Sequence, residues 1–167
     1  MKKLAIFFCL LLTIASLKAQ DADKPIPQYK ILTTDSVYVT PAKLKKDAPI
    51  MVIYFSPDCT HCQHLTEQLT ELLKSEKKDH KHILSKTQIV MITWSSLQAI
   101  QVFRKDYELD KYTNITVGTE GYALTVQKYY QVKTTPYIAI YTKGGKLVQA
   151  FEKAPKISDL IDIIKKA

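Results

Sequence analysis

Short apolar runs alternate with amphipathic repeats along most of the chain. Residues 50–55 are six consecutive apolar residues, which is typical of a strand buried on both faces. From residue 65 to residue 73, leucines recur at the i, i+4, i+7 and i+8 positions of one helix face. The two patterns then repeat, with a buried strand at residues 89–92 and an amphipathic helix at residues 97–107.

The remaining elements complete an α/β pattern. They are a marginal N-terminal hairpin at residues 29–32 and 36–39, a short strand at 115–117, a helix at 122–130, strands at 137–141 and 147–151, and a final helix from residue 157. Gly144 and Gly145 form the tight turn between the last two strands. Strands alternating with helices and followed by a closing hairpin predict a layered α/β domain with a mixed central sheet.

The N-terminus has the pattern of an export signal. Two lysines precede a twelve-residue stretch, 4–15, that is apolar except for Thr13 and is shorter than the roughly 20 residues that span a bilayer. We therefore predict a signal peptide at residues 1–19, cleaved after Ala19, with cleavage after Ala15 as the alternative. An uncleaved N-terminal anchor is the other interpretation of this segment.

The segment after the signal is polar and carries Pro25 and Pro27, so we predict an extended leader at residues 20–30. The domain then covers residues 31–167. No internal repeat or low-complexity segment interrupts this domain, so the sequence predicts a single globular unit.

Charge and composition exclude some classes of function. The chain of 167 residues carries a formal net charge of +8, and removal of the signal takes away three lysines and no acidic residue, leaving +5. The remaining basic residues are dispersed along the sequence without the aromatic-interleaved cluster that nucleic-acid binding favours. A composition of 46% hydrophobic and 24% charged residues excludes a disordered chain. We expect no nucleic-acid partner and no stable membrane insertion after cleavage.

The chemistry is concentrated in Cys59-Thr60-His61-Cys62, which follows a predicted buried strand and opens a predicted helix. A thiol at a helix N-terminus faces unpaired backbone N–H groups and the positive end of the helix dipole, and both stabilise a thiolate. Cys59 is therefore the predicted attacking thiol, and Cys62, one turn further along, the predicted resolving thiol. His61 can carry a positive charge beside the thiolate, which predicts a lower pKa for Cys59.

These residues resemble the thioredoxin superfamily, and within it the exported proteins of the TlpA/ResA type. The resemblance rests on the strand at residues 50–55, on Ser-Pro-Asp-Cys-Thr-His-Cys at 56–62, and on the leucine-faced helix that follows. It continues with Tyr-Gln-Val-Lys-Thr-Thr-Pro-Tyr at 130–137 and Thr-Lys-Gly-Gly-Lys at 142–146. It covers about residues 45–167, including the strand–helix insertion between the two halves of the fold.

The resemblance implies a thioredoxin-like fold in which Pro136 is cis and lies with Thr135 beside Cys59 and Cys62. It also implies that the backbone before this proline pairs with an extended substrate peptide. The expected function is that of an exported, periplasmic thiol–disulfide oxidoreductase, and the subgroup tends to act as a reductant. We expect client proteins and an upstream redox protein as partners, a monomer, and no organic cofactor or metal.

Two positions depart from the family pattern. Ile53 occupies the place of a buried acid that helps to deprotonate the second cysteine in many thioredoxins. Asp58 replaces the common aromatic residue before the first cysteine, and its negative charge should oppose the effect of His61 on the thiolate.

Two other interpretations of the cysteines remain open at the level of sequence. A structural disulfide between Cys59 and Cys62 is possible in an exported protein, although so short a loop stabilises little by the chain-entropy argument. A copper-binding or copper-delivery protein is the second alternative, because cysteine thiolates and histidine imidazoles, which bind copper, are close together in this part of the sequence. Its candidate ligands are Cys59, His61, Cys62, His64, His80 and His82.

Overall fold

The structure is a computed structural model that describes residues 24–79 and 82–167. The predicted signal peptide and the first residues of the predicted leader lie outside the described residues, as does His80. Among the helices that are described, none is both long and apolar enough to cross a membrane.

One mixed sheet of seven strands forms the centre of the described part of the chain, in the order β2-β1-β5-β4-β3-β6-β7. The strands are β1 (Ile31–Leu32), β2 (Tyr38–Val39), β3 (Ile50–Tyr54), β4 (Gln88–Thr93), β5 (Ile115–Thr119), β6 (Tyr137–Tyr141) and β7 (Leu147–Phe151). β3, β4 and β5 pair in parallel, whereas every other neighbouring pair is antiparallel. The predicted mixed sheet, closing hairpin and N-terminal hairpin are all confirmed.

Four α-helices flank this sheet in the described residues. They are α1 (Thr60–Asp79), α2 (Leu97–Asp106), α3 (Thr125–Tyr130) and α4 (Ile157–Ile164). The apolar faces of α1, α2 and α4 share one core cluster with alternate residues of β3, including Met51 and Ile53. α3 packs in the cluster on the other face, with Val52 and Tyr54. β3 is therefore buried on both faces, as its unbroken apolar run predicts.

The predicted helix at residues 122–130 is wrong in its first three residues and confirmed in the other six. A short 3₁₀ turn (Gly121–Ala123) comes first, and Leu124 then takes a left-handed conformation with φ of 50°, which interrupts the helix. The Glu120 carboxylate accepts the N–H groups of Val126 at 2.7 Å and Gln127 at 3.3 Å, and so caps the start of α3. Apolar periodicity cannot reveal this interruption, because it lies in the backbone and in a side chain outside the helix.

The described part of the predicted leader, residues 24–30, lies against the domain. The Pro25 carbonyl accepts hydrogen bonds from the hydroxyls of Tyr129 at 2.5 Å and Tyr141 at 3.3 Å. Tyr29 is only 1% exposed and belongs to the same core cluster as α3. The chain therefore contacts the sheet face carrying α3 before it enters β1.

Candidate active site

The loop between β3 and α1 carries the two cysteines and is fixed by local hydrogen bonds. Cys59 immediately precedes α1; its N–H donates to the Ser56 carbonyl at 3.1 Å, and its carbonyl accepts the N–H of Gln63 at 3.0 Å. The side-chain amide of Gln63 also donates to the Pro57 carbonyl at 2.8 Å. Cys59 thus lies at the N-terminal end of a 20-residue helix, where the dipole favours a negative charge.

The Cys59 thiol is half-buried and contacts the loop before β6. Its Sγ donates to the backbone carbonyl of Thr135 at 3.3 Å, and the Thr135–Pro136 peptide bond is cis. Burial disfavours the thiolate and raises the pKa of Cys59. Hydrogen bonds from the Thr135 and Cys62 side chains and from the N–H groups of Cys62 and His61 stabilise the thiolate. Together the hydrogen bonds outweigh burial, and the pKa of Cys59 is lowered below its ordinary value of 9.0.

Cys62 has the opposite environment. It is 1% exposed and packs in the core cluster that contains Ile53 and the leucines of α1. Burial, followed by the adjacent Cys59, raises the pKa of the Cys62 thiol to about 12. Both thiols are free in this structure. The site therefore pairs an accessible, acidified thiol with a buried, protonated one.

A sequence model described as a thioredoxin-like domain matches residues 40–167. The chain belongs to the thioredoxin-like family. The match takes in both cysteines, the cis-proline and the closing hairpin, so the family is established over the whole region that builds this site. No curated protein sequence shows significant similarity to the chain.

Solved structures similar to this thioredoxin-like protein share its fold at low sequence identity. A secreted disulfide oxidoreductase of Mycobacterium tuberculosis, homologous to DsbE of E. coli, is 17% identical with a TM-score of 0.65, covering 84% of this chain and 96% of its own. A thiol–disulfide oxidoreductase of Bacteroides fragilis is 14% identical with a TM-score of 0.63, covering 84% and 99%. The exposed lipoprotein thioredoxin Etrx1 of Streptococcus pneumoniae is 15% identical with a TM-score of 0.60, covering 83% and 98%.

The other predicted site residues of this thioredoxin-like protein differ in how exposed they are and in whether they contact a thiol. His61 is exposed and contributes its backbone N–H to the Cys59 thiolate, while Asp58 is exposed on the preceding turn. Pro136 is buried, and Thr135 is half-buried beside Cys59. The structure thus brings Thr135 to the Cys59 thiol across 76 positions of sequence.

No carboxylate takes the place of the family's buried acid beside Cys62. Ile53 is fully buried there, in the same core cluster as Cys62. The buried carboxylates among residues 24–79 and 82–167 are those of Glu76 and Glu120, and both accept backbone N–H groups elsewhere in the fold. Apolar surroundings therefore disfavour loss of the Cys62 proton.

The described residues do not assemble the ligands of the copper alternative. Cys62 is buried, whereas the His64 side chain is 68% exposed, with Nδ1 3.8 Å from a Glu67 carboxylate oxygen. Within the part of the chain that the structure describes, no three His, Cys, Asp or Glu residues are grouped so that they could hold a metal ion.

Sequence patterns missed two residues that position the site. Gln63 fixes the turn before Cys59, and Glu120 caps α3, the helix that leads into the cis-proline loop. Polar residues are common on exposed helix faces, so nothing in the sequence distinguishes Gln63. Glu120 lies five residues before α3, outside the spacing of a helix-capping box.

The two thiols should differ in their reactivity with pH. Because only the thiolate reacts, we expect the rate of alkylation of Cys59 by iodoacetamide to rise with pH, with a midpoint below pH 9.0. Cys62 should stay unmodified up to about pH 10, since its pKa is about 12. Mass spectrometry of each cysteine peptide measures both rates, with the protein unfolded in guanidinium as the control. Faster alkylation of Cys62 than of Cys59 in the folded protein would contradict the assignment.

Proposed function

We propose that this protein is an exported thiol–disulfide oxidoreductase that reduces disulfides in client proteins. The observation that carries the proposal is the contrast between the thiols of Cys59 and Cys62. One is accessible with a lowered pKa at a helix N-terminus, and the other is buried with a raised pKa one turn away. A structural pair of thiols does not need this difference, whereas disulfide exchange uses it to separate attack from resolution.

The reaction starts when the Cys59 thiolate attacks one sulfur of a client disulfide. An S–S bond forms between Cys59 and the client, the client disulfide breaks, and one client sulfur leaves as a thiolate that takes up a proton. Cys62 then attacks the Cys59 sulfur, loses its proton to the second departing client sulfur, and forms the Cys59–Cys62 disulfide. The client gains two electrons and two protons, and an upstream dithiol protein returns the pair to the reduced state.

Thr135 and Pro136 are the proposed contacts for the client backbone. The Thr135 carbonyl is 3.3 Å from the Cys59 sulfur, so a client segment lying along this loop would bring its own sulfur to the attacking thiol. His61 tunes the Cys59 thiolate. No organic cofactor is required, because the dithiol itself carries the electrons.

The reducing direction is supported by the residues around Cys59. Asp58 directly precedes Cys59, and a carboxylate there opposes further stabilisation of a thiolate whose pKa is already lowered by hydrogen bonds. A dithiol whose thiolate is less stabilised holds its electrons less strongly and is the better reductant. Export is supported by the signal-like N-terminus and by the similar proteins described as secreted or as an exposed lipoprotein. We place the protein in the periplasm as a monomer.

The test combines turnover with the reduction potential of the Cys59–Cys62 pair. We expect the purified protein to accelerate reduction of insulin by dithiothreitol, and its potential to lie near about −270 mV in glutathione or dithiothreitol buffers. A potential near about −120 mV would overturn the reducing direction while leaving disulfide exchange in place. No acceleration with insulin or with a small peptide disulfide would overturn the function itself.

A further inference from the structure

Trp94 is an exposed aromatic side chain just past the C-terminal end of β4. At the same end of the sheet, β3 leads into the loop that carries Cys59. Trp94 is 44% exposed and stacks on the fully buried ring of Tyr54 with centroids 5.9 Å apart and planes at 24°. One face of the indole is therefore held by the domain while much of the ring stays open to solvent. A rigid aromatic surface of this kind can bind an apolar side chain with little loss of conformational entropy.

The strand register places Trp94 level with the cis-proline loop. Tyr54 pairs with Ile92 on one side and with Tyr137 on the other. Trp94 comes two residues after Ile92, and Thr135 comes two residues before Tyr137. Both residues therefore lie beyond the same end of the strands, the end at which β3 finishes. β3 is the single strand between them.

The distance between these positions fits a short stretch of polypeptide. Neighbouring strands are about 4.8 Å apart, so the ends of β4 and β6 are separated by about 10 Å across β3. An extended chain advances about 3.3 Å per residue. A client segment that runs from Thr135 across the end of β3 would therefore reach Trp94 about three residues from the cysteine that Cys59 attacks.

We propose that Trp94 is a specificity-determining contact that binds a large apolar side chain about three residues from the client's cysteine. The proposal rests on the proposed function and commits to one occupant, an extended segment of an incompletely folded client protein. Folded proteins bury most such side chains and do not offer them in extended chain. Stacking on Trp94 adds binding energy next to the reacting sulfur, so it selects among disulfides that have the same intrinsic reactivity.

Paired peptides test this contact. Each carries one cysteine in a disulfide with glutathione, and the two differ in having Phe or Ser at the third residue on either side. We expect wild-type kcat/KM to be about fivefold higher for the Phe peptide, from the energy of one aromatic pair. Trp94→Ala should remove this ratio. Tyr38→Ala should keep it, because Tyr38 is also an exposed aromatic residue, at 56%, but lies on β2, the edge strand far from β3 and β6.

A second measurement needs no change at Trp94. The chain contains a single tryptophan, so its fluorescence reports this position alone. In Cys62→Ser protein joined to each peptide through Cys59, we expect a blue shift of emission with the Phe peptide and none with the Ser peptide. Equal turnover of the two peptides, or an unchanged ratio in Trp94→Ala, overturns the inference alone. Failure to turn over either peptide overturns the proposed function and the inference with it.

Discussion

Replacing Cys62 by serine is expected to turn the protein into a trap that holds its clients as mixed disulfides on Cys59. The attacking thiol keeps its place at the start of α1 and its hydrogen bonds to the cis-proline loop, so the first exchange step still occurs. The sulfur that releases the client is absent, and the covalent intermediate persists. Non-reducing gels of the exported protein should show covalent adducts that dithiothreitol cleaves. Multiple-turnover reduction of insulin should fall by about three orders of magnitude.

The matched control is Cys59→Ser, which removes the attacking sulfur and leaves the buried one. This variant should form no adducts and should lose turnover to the same extent, because the Cys62 thiol is 1% exposed and its pKa is raised to about 12. Adducts on Cys62 in this variant, or none on Cys59 in the trap, would contradict the proposed roles of the two thiols.

Glu76→Ala is expected to lower the free energy of unfolding by about 3 kcal/mol. Glu76 lies near the end of α1, is 3% exposed, and fixes the following loop through its carboxylate. That carboxylate accepts the N–H groups of Ile83 at 3.1 Å, Leu84 at 2.7 Å and Ser85 at 2.9 Å. Alanine leaves these three donors without their acceptor at a place where Leu84 is fully buried. Urea unfolding followed by circular dichroism measures the change.

Glu71→Ala serves as the control for this experiment, because it removes the same side chain from an exposed position on the same helix. It should change the free energy of unfolding by less than about 0.5 kcal/mol. Equal effects at the two positions would show that helix charge, rather than the buried hydrogen bonds, accounts for the loss. Insulin turnover by folded Glu76→Ala should stay near wild type, since the loop lies at the opposite end of α1 from Cys59.

The accuracy of the sequence prediction differs between elements for identifiable reasons. β3 and α1 were predictable because an unbroken apolar run and a repeated leucine face are local signals that their burial confirms. The predicted helix at 122–130 is confirmed only from Thr125 onward, because its interruption depends on the left-handed Leu124 and on the Glu120 carboxylate. The predicted start of α1 at the Cys-Thr-His-Cys motif is confirmed, because the helix begins at Thr60 directly after Cys59.

The sequence alone determined which residues are the candidates for the chemistry, since two cysteines three apart after a buried strand can form a dithiol pair wherever the domain folds. Only the tertiary structure decided how the two thiols differ. The contact between Cys59 and Thr135 joins residues 76 positions apart, and the raised pKa of Cys62 comes from side chains of several elements that meet only in the core. The alignment of Trp94 with the cis-proline loop likewise depends on pairing of β4 and β6 with β3. Periodicity is local, whereas burial and strand pairing depend on the whole fold.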